Sequence, residues 1–299
     1  MSATALLGPI GTVTVATADP AALAVEYERW LGYGVVERRA VSEAEARAWG
    51  APGVAGRPQV LLAPAGRGDS YLRFVESRRP PGYVPLRHLG WNAAEHIVQD
   101  CDAVARQLAG SPFEIIGPPA DLSFSDQIRA MQVRGPADEV LYLTQIKSKL
   151  PIFDTPDAEY PVDRVFIVIL GGATMEGLQD AYASRFGVPR APVIPSKISV
   201  LANAYGAPAD TLYSIAALPL RGQSFIEADA MPAAAEPRPC LPGELPPAIA
   251  IVSFEAETLP AGVEWLAPPA ALPGLPYRGR LAGTCRGPAG ELVEVIARG

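Results

Sequence analysis

The sequence predicts an α+β protein built from four consecutive βαβββ units. Two observations lead to this prediction. Residues 10–34 read as a strand followed by a capped helix, and the same order of strands and helices recurs along the 299 residues. A supersecondary unit that repeats in this way usually decides the architecture of the whole chain. Because 49% of the residues are hydrophobic and 19% are charged, the chain can form a substantial core.

Unit one has the clearest pattern. Residues 10–17, "IGTVTVAT", alternate as in a β-strand. Asp19 is placed to cap a helix that begins at Pro20, and apolar residues at helical spacing continue to Gly32. Three later segments read as strands: "GVVERRAV", "PQVLLAPAG" and "SYLRFVES".

Unit two repeats the order of unit one. It begins with the strand "NAAEHIVQD" and continues with a helix predicted to start at Asp102. Its remaining strands are "FEIIG", "IRAMQVRG" and "EVLYLTQI". The segment 147–161 is rich in Pro and Asp, which is typical of a linker between domains.

Units three and four follow this linker. Unit three has the strand "VDRVFIVIL", a helix capped by Thr174 and ended by Gly187, and the strands "KISVLANAYG", "LYSIAALPL" and "GQSFIEADA". Unit four has the strands "AIAIVSFEAE", "GRLAGTCRG" and "GELVEVIARG", and its "GVEWLAPPAAL" has too many prolines for a full helix. Six prolines in residues 231–247 predict a long loop that either connects the units or covers a cavity.

Composition argues against several classes of protein. The net charge of −7 and the lack of a Lys/Arg-rich run argue against binding to nucleic acid or anionic lipid. No stretch resembles a signal peptide or a membrane span, so we expect a cytoplasmic protein. Cys101, Cys240 and Cys285 are far apart and show no metal-binding spacing, which favours neither a disulfide framework nor a zinc site.

Three segments carry a resemblance to a known superfamily: "TVTVATADPAALAVEYERWLGYGV", "VRGPADEVLYL" and "CRGPAGELVEV". They resemble the glyoxalase/bleomycin-resistance/extradiol-dioxygenase proteins, also called vicinal oxygen chelate proteins. The resemblance implies that two units pair into a half-open, curved sheet around a pocket. We therefore expect a first glyoxalase-like domain at 1–148 (units 1–78 and 86–148), a linker at 149–161, and a second, more degenerate domain at 162–299.

The resemblance also implies where a metal would bind. Catalytic members hold a divalent cation with His, Gln or Glu on the first and last strands of paired units. The corresponding residues here are Thr12, Arg73, Ala93 or Glu95, Tyr142, Arg164, Glu227, Ile251 and Glu294. A guanidinium cannot ligate a cation. The two histidines of the chain are few for a metal site with imidazole ligands, including the iron site of a ring-cleaving dioxygenase. We predict no cofactor; the alternative is a weakly held divalent metal at Glu227 and Glu294, and Arg164 would compete for these carboxylates.

Glu95 is the central candidate for catalysis. Alternation places it in the first pocket with Trp91, whereas His96 faces the helices as a core residue. A carboxylate in an apolar pocket must be protonated, paired or solvated. Either Glu95 is an acid/base group, with Tyr142 donating to an oxyanion and Arg73 tuning the pKa or binding a substrate carboxylate, or Glu95 and Arg73 form a buried ion pair.

Four residues complete the predicted site by contacting the substrate: Trp91, Thr12, Phe124 and Met131. The resulting hypothesis is a lyase or isomerase that acts without metal on an apolar or aromatic carbonyl or carboxylate compound. One alternative is a small-molecule binding protein of the resistance type, without catalysis. Another is a divalent-metal-dependent enzyme similar to glyoxalases or dioxygenases. The expected partners are a small molecule and a second copy in a homodimer.

Overall fold

A computed structural model describes residues 6–123, 125–149 and 154–299. Within these ranges the strands form two eight-stranded mixed sheets, with each sheet built from two of the four units. This confirms the predicted α+β class and the pairing of units into two half-open sheets. We call the sheet made by units one and four the terminal sheet, and the sheet made by units two and three the central sheet.

The terminal sheet joins the two ends of the chain. Unit one contributes β1 (Ile10–Thr17), β2 (Tyr33–Ala40), β3 (Pro58–Pro64) and β4 (Tyr71–Glu76), and unit four contributes β13 (Ala248–Ala256), β14 (Ala270–Ala271), β15 (Leu281–Arg286) and β16 (Leu292–Ala297). The strand order is β14-β15-β16-β13-β1-β4-β3-β2. The first strands β1 and β13 run antiparallel at the centre, and each is parallel to the last strand of its own unit.

The central sheet has the same plan. Unit two contributes β5 (Gly90–Val98), β6 (Glu114–Leu122), β7 (Ser125–Arg134) and β8 (Val140–Ile146), and unit three contributes β9 (Val162–Gly172), β10 (Ile194–Lys197), β11 (Leu212–Leu220) and β12 (Ser224–Ala230). The order β10-β11-β12-β9-β5-β8-β7-β6 places the antiparallel pair β5 and β9 at the centre.

This sheet topology corrects the predicted domains. Units one and two, expected to share a domain at 1–148, lie in different sheets, as do units three and four in the range 162–299. The repeat identifies each unit but carries no information on which first strand pairs with which, because all four are apolar. Units one and two, and likewise units three and four, instead contact each other through helices and turns.

Three of the helices follow the predicted caps closely. Helix α1 (Pro20–Leu31) is capped by Asp19 and ends at Gly32, whose φ of 70° is left-handed. Helix α4 (Met175–Phe186) is capped by Thr174 and ends at Gly187. Helix α3 (Cys101–Gln107) is capped by Asp100, so it begins one residue before the predicted Asp102.

Two short helices were not predicted from the sequence. Helix α2 (Glu43–Ala48) begins with a capping box formed by Ser42 and Glu45. Helix α5 (Ser199–Tyr205) occupies most of a segment predicted as a strand, because a short apolar run fits either periodicity. A 3₁₀ turn at Pro52–Val54 follows α2, and the described residues between β13 and β14 contain no helix.

Two equivalent hydrogen bonds join unit one to unit two and unit three to unit four. Tyr27 of α1 donates to Glu139 of unit two at 2.8 Å, and Tyr182 of α4 donates to Glu291 of unit four at 2.9 Å. Both glutamates end the Gly-Pro motif that marks the resemblance. A side chain on the motif glycine would collide with the buried carboxyl group, which explains why glycine stands there.

The two sheets pack together through the faces that carry α1, α3 and α4. One continuous core lies between them, and it includes Tyr27, Phe74, Trp91, Tyr182 and Phe254. Each sheet therefore turns its other face away from this shared core. The terminal hollow is the face with Thr14, Arg73, Ser253 and Glu294, and the central hollow is the face with Glu95, Tyr142, Ile169 and Glu227.

The proline-rich segment 231–247 both connects the two sheets and covers part of the terminal hollow. It carries the chain from β12 in the central sheet to β13 in the terminal sheet. Leu245 is buried in the apolar cluster of the terminal hollow, and Glu244 binds Arg57 at 2.8 Å and Arg78 at 2.7 Å. Among the described residues, no helix is both long and apolar enough to cross a membrane.

Candidate functional site in the central hollow

The helix caps give a common reference for comparing the units. Thr14, Glu95 and Ile169 each lie five residues before an N-cap, at Asp19, Asp100 and Thr174 respectively. Each of the three faces a residue on the last strand of its own unit: Arg73, Tyr142 and Glu227. In unit four the corresponding pair is Ser253 and Glu294. The first-strand positions predicted at Thr12, Arg164 and Ile251 are therefore out of register, and only Glu95 was correctly placed.

The terminal hollow is filled by its own side chains. Arg73 and Glu294 are fully buried, and their charged groups lie 3.3 Å apart. Arg73 also donates to Thr14 at 2.9 Å and stacks over the Trp49 ring at 4.4 Å. Tyr277 and Trp49 each donate to Glu294 at 2.8 Å. Every polar group of the ion pair therefore has a partner, as a buried pair requires.

This arrangement changes the predicted role of Arg73. The guanidinium belongs to a different sheet from Glu95, so the predicted Arg73–Glu95 ion pair is wrong. Arg73 is also enclosed and cannot reach a substrate held beside Glu95. Thr12, predicted to contact substrate, is 1% exposed and lies in the same filled hollow. A divalent cation does not fit at Glu294, because a cationic side chain already occupies the position facing it.

The central hollow brings four polar residues together. Glu95 and Tyr142 are neighbours in register on β5 and β8, while Glu227 and Asp229 lie two residues apart on β12. Glu95, Tyr142 and Asp229 are 8%, 9% and 3% exposed, and Glu227 is partly exposed. The structure thus confirms that Glu95 and Tyr142 lie side by side.

The carboxyl groups in the central hollow hold their protons unusually tightly. Burial, and then the nearby charge of Glu227, raise the pKa of Glu95 to about 8. Burial raises the pKa of Glu227 to about 7. The pKa of Asp229 is raised by burial and by the charges of Glu227 and Glu95. Near neutral pH these groups cannot all be ionised, so they share protons as a set.

No cation neutralises this set within the described part of the chain. No Lys, Arg or His there forms an ion pair with Glu95, Glu227 or Asp229. Arg164, expected to pair with Glu227, instead contacts Gln223 at 3.4 Å. One oxygen of Asp229 is buried without a hydrogen-bond partner. The floor of the hollow is therefore a set of carboxyl groups that, among these residues, has no cationic partner.

The side chains of the central hollow do not form a suitable set of metal ligands. No group of three or more His, Cys, Asp or Glu side chains is arranged to hold a metal ion among the residues with described positions. Tyr142 and Ile169 occupy positions where the resemblance implies metal ligands. The predicted pair Glu227 and Glu294 lies in two different sheets, so these residues cannot share one ion.

Apolar side chains surround the carboxyl groups. Ile169, Tyr213 and Tyr142 belong to one buried cluster with Val200 and Leu201 of α5. Helix α5 therefore covers part of the central hollow, as α2 covers part of the terminal hollow. An apolar wall with a few convergent polar groups is the usual composition of a small-molecule site.

Other predicted site residues lie outside the central hollow. Trp91 is in the core between the sheets and donates to the Leu292 carbonyl at 2.8 Å, because a register shift between Trp91 and Ala93 breaks the alternation. Met131 pairs with Leu143 on the opposite face of the sheet from Tyr142. Phe124 lies outside the described residues.

His96 is a core residue, as the sequence predicted. It is completely buried, and its Nδ1 lies 2.8 Å from the Tyr33 hydroxyl. Burial lowers the pKa of His96 to about 4, so the imidazole stays neutral near pH 7. Asp229, in contrast, was missed by the sequence analysis. The only available signal was its spacing of two from Glu227, which puts both side chains on one face of a strand.

Solved structures show the same fold. Glyoxalase I from Zea mays matches with a TM-score of 0.64 at 14% identity, over 97% of this chain and 92% of that chain. A protein from Bacillus subtilis subsp. subtilis str. 168, described as a candidate dioxygenase, matches with a TM-score of 0.59 at 11% identity, over 99% and 86% of the two chains. No family model and no curated protein matches the sequence. The chain therefore has the glyoxalase fold over nearly its whole length, as its resemblance predicted.

Proposed function

We propose that the central hollow is the active site of a small-molecule enzyme that uses acid/base chemistry. The observation behind this proposal is that Glu95, Glu227, Asp229 and Tyr142 lie close together in a largely apolar hollow. Among the described residues, no cation neutralises the three carboxyl groups. Perturbed carboxyl pKa values of this kind concentrate at functional sites. Relative to the hypothesis from the sequence, the site draws half its residues from unit three, and Arg73 has no part in it.

The carboxyl pair supports transfer of a proton at neutral pH. With pKa values of about 8 and about 7, Glu95 and Glu227 hold one shared proton over much of this range. The ionised member can remove a proton next to a carbonyl group, and the protonated member can return one elsewhere on the substrate. Burial raises the pKa of Tyr142, so its hydroxyl stays protonated and can donate to the developing oxyanion. Return of the proton to another carbon gives isomerisation, and loss of a leaving group gives a lyase reaction.

The charge of the central hollow narrows the substrate class. An anionic substrate would be repelled by the ionised members of this carboxyl set, and among the described residues no arginine forms an ion pair with the set. We therefore favour a neutral apolar or aromatic carbonyl compound over the carboxylate that the sequence left open. A divalent-metal-dependent reaction is not proposed, because the residues at the expected ligand positions do not fit a metal.

Exchange of carbon-bound hydrogen for solvent deuterium tests this proposal directly. Aryl ketones and aldehydes with an enolisable C–H would be incubated with the protein in D₂O and followed by NMR. We expect enzyme-dependent exchange that Glu95→Gln reduces by about 10²- to 10⁴-fold, the usual contribution of a general acid/base. Glu176→Gln, on the exposed start of α4, is the matched control and should exchange normally. Exchange that survives Glu95→Gln unchanged would reject the proposed role.

The apolar lining favours a second candidate, which is binding without turnover. The rings of Tyr142 and Tyr213, which are each slightly exposed, offer contact area for an aromatic ligand. In that case the same compounds should raise the Tm of the wild-type protein and of Glu95→Gln equally, and no exchange or product should form. The two candidates therefore differ in the response to a single substitution.

A further inference from the structure

A cavity of about 230 Å³ remains at one end of the otherwise filled terminal hollow. Its floor is formed where four strands of the terminal sheet begin or end, and includes Tyr71, Glu255 and Ile296. Its other wall is the segment between β14 and β15, which contributes Pro276, Arg278 and Arg280. The volume lies below the range of about 300–1,000 Å³ typical of drug-sized ligands, so any occupant must be small.

The acidic groups of this cavity are already paired. Glu255 forms ion pairs with Arg280 at 3.0 Å and with Arg298 at 2.9 Å. Asp69, at the rim, forms an ion pair with Arg67 at 3.0 Å. The acids of the lining therefore hold arginines in place and contribute little net negative charge to the cavity.

Arg278 differs from Arg280, the other arginine of the lining. It makes no ion pair with any residue in the described ranges, and its only side-chain hydrogen bond runs to the Tyr71 hydroxyl at 3.3 Å. A guanidinium carries five N–H donors, so most of them remain available. In the described part of the chain, neither Tyr71 nor an acidic side chain neutralises the positive charge of Arg278.

The backbone holds Arg278 at this position. Its φ of 53° is left-handed, which is uncommon for a residue with a side chain. Its amide donates to the Gly274 carbonyl at 2.6 Å, and the preceding Tyr277 is completely buried against Glu294. The backbone that carries Arg278 is thus held by a hydrogen bond and by the buried Tyr277, and the exposed Arg278 side chain extends from it at the rim of the cavity.

We propose that this cavity is a second binding site, for a small organic carboxylate. The carboxylate pairs with the Arg278 guanidinium, which can donate two parallel hydrogen bonds. The apolar body of the ligand lies against Ile296, Pro276 and the Tyr71 ring. The site is independent of the chemistry proposed above, because it lies in the other sheet and has the opposite charge preference.

Binding of benzoate, measured by calorimetry and by saturation-transfer NMR, tests this site. We expect millimolar or tighter binding to the wild-type protein and no binding of benzamide, which has the same shape without the charge. Arg278→Gln should weaken benzoate binding by about ten- to a hundredfold, as expected for loss of hydrogen bonds to a charged group. Arg286→Gln is the matched control, because Arg286 is also exposed and lies on β15 outside the cavity.

Two outcomes would overturn the proposal: absence of benzoate binding to the wild-type protein, or equal binding to the wild type and Arg278→Gln. Equal binding of benzamide would also do so, because it would show that the charge is not recognised. Glu95→Gln should leave benzoate binding unchanged, because Glu95 lies in the central hollow and not in this cavity. If the acid/base proposal for the central hollow fails, the benzoate result at Arg278 is unaffected. If benzoate does not bind at Arg278, the acid/base proposal is likewise unaffected.

Discussion

The terminal and central hollows are built on the same plan but handle charge in opposite ways. At equivalent positions the terminal hollow has Arg73 facing Thr14, and the central hollow has Tyr142 facing Glu95. Arg73 neutralises Glu294 and closes the terminal hollow. Among the described residues no such cation stands beside Glu95 and Glu227, so burial raises the pKa of both groups, and Glu227 stays partly exposed.

The difference shows how one fold position can serve stability or chemistry. A buried carboxylate that is fully paired is a fixed structural element, and removal of its partner is strongly destabilising. A buried carboxyl group without a cation titrates near neutral pH and is available to react. Two equivalent positions separate the two cases here: arginine or tyrosine on the last strand, and threonine or glutamate on the first strand.

The largest effect is expected from removing the cation of the terminal hollow. Arg73→Met should lower the free energy of unfolding by about 3–5 kcal/mol, because Glu294 is left buried and uncompensated. Urea unfolding would measure the loss. Tyr142→Phe is the matched control at the equivalent position, and should cost less than about 1.5 kcal/mol.

The double variant Arg73→Met, Glu294→Gln separates charge from packing. It should recover most of the stability lost in Arg73→Met, because the uncompensated charge is gone. If the double variant is as unstable as the single one, Arg73 contributes through packing on Trp49 and not through its charge. The contrast between the two hollows would then fail.

The next effect concerns the pH dependence of stability in the central hollow. The pKa of Glu95 is raised to about 8 in the folded protein from an ordinary 4.5. The contribution of Glu95 to the free energy of unfolding is therefore fully present below pH 4.5, and it is lost as the pH rises through 8. Glu95→Gln should be more stable than the wild type at pH 9, by at least about 1.4 kcal/mol, the equivalent of one pKa unit.

Unfolding curves at pH 5, 7 and 9 would check this expectation. The gap between Glu95→Gln and the wild type should open with rising pH. Curves that run parallel across this range would contradict a protonated Glu95. Glu176→Gln, at an exposed position, provides the control for removal of a glutamate charge.

Most of the fold could be predicted from the sequence because its signals are local. Strand alternation and the caps at Asp19 and Thr174 depend on neighbouring residues only, and the structure confirms them. The pairing of units could not be predicted, because it depends on contacts such as β1 with β13 that join the two ends of the chain. A homodimer and a cytoplasmic location stay predictions from the sequence.

The site was predicted only where residues are neighbours within one unit. Glu95 and Tyr142 both belong to unit two, and their contact was found correctly. Arg73 was assigned to the same pocket through the assumed pairing of units, so that assignment failed together with the pairing. Trp91 was misplaced by a local register shift, which leaves no mark in the pattern of apolar residues.

A smaller effect is expected at the contacts that join unit one to unit two and unit three to unit four, which belong to neither hollow. Tyr27→Phe and Tyr182→Phe each remove a hydrogen bond to a buried carboxyl group, Glu139 or Glu291. Each should lower the free energy of unfolding by about 0.5–1.5 kcal/mol, and the two losses should be similar because the contacts are equivalent. Urea unfolding would show whether one of the two contacts carries more of the stability.

The smallest effect is a change in titration without a change in fold, and it tests whether the carboxyl groups of the central hollow act as a set. Glu227→Gln removes the charge that, after burial, most raises the pKa of Glu95. The pKa of Glu95 should therefore fall, yet stay above 4.5, because burial is unchanged. Carbon-13 NMR of the glutamate side-chain carboxyl groups would follow the midpoint directly. Glu294→Gln in the terminal hollow should leave this midpoint in place, whereas an equal shift in both variants would mean that the two hollows are not electrostatically separate.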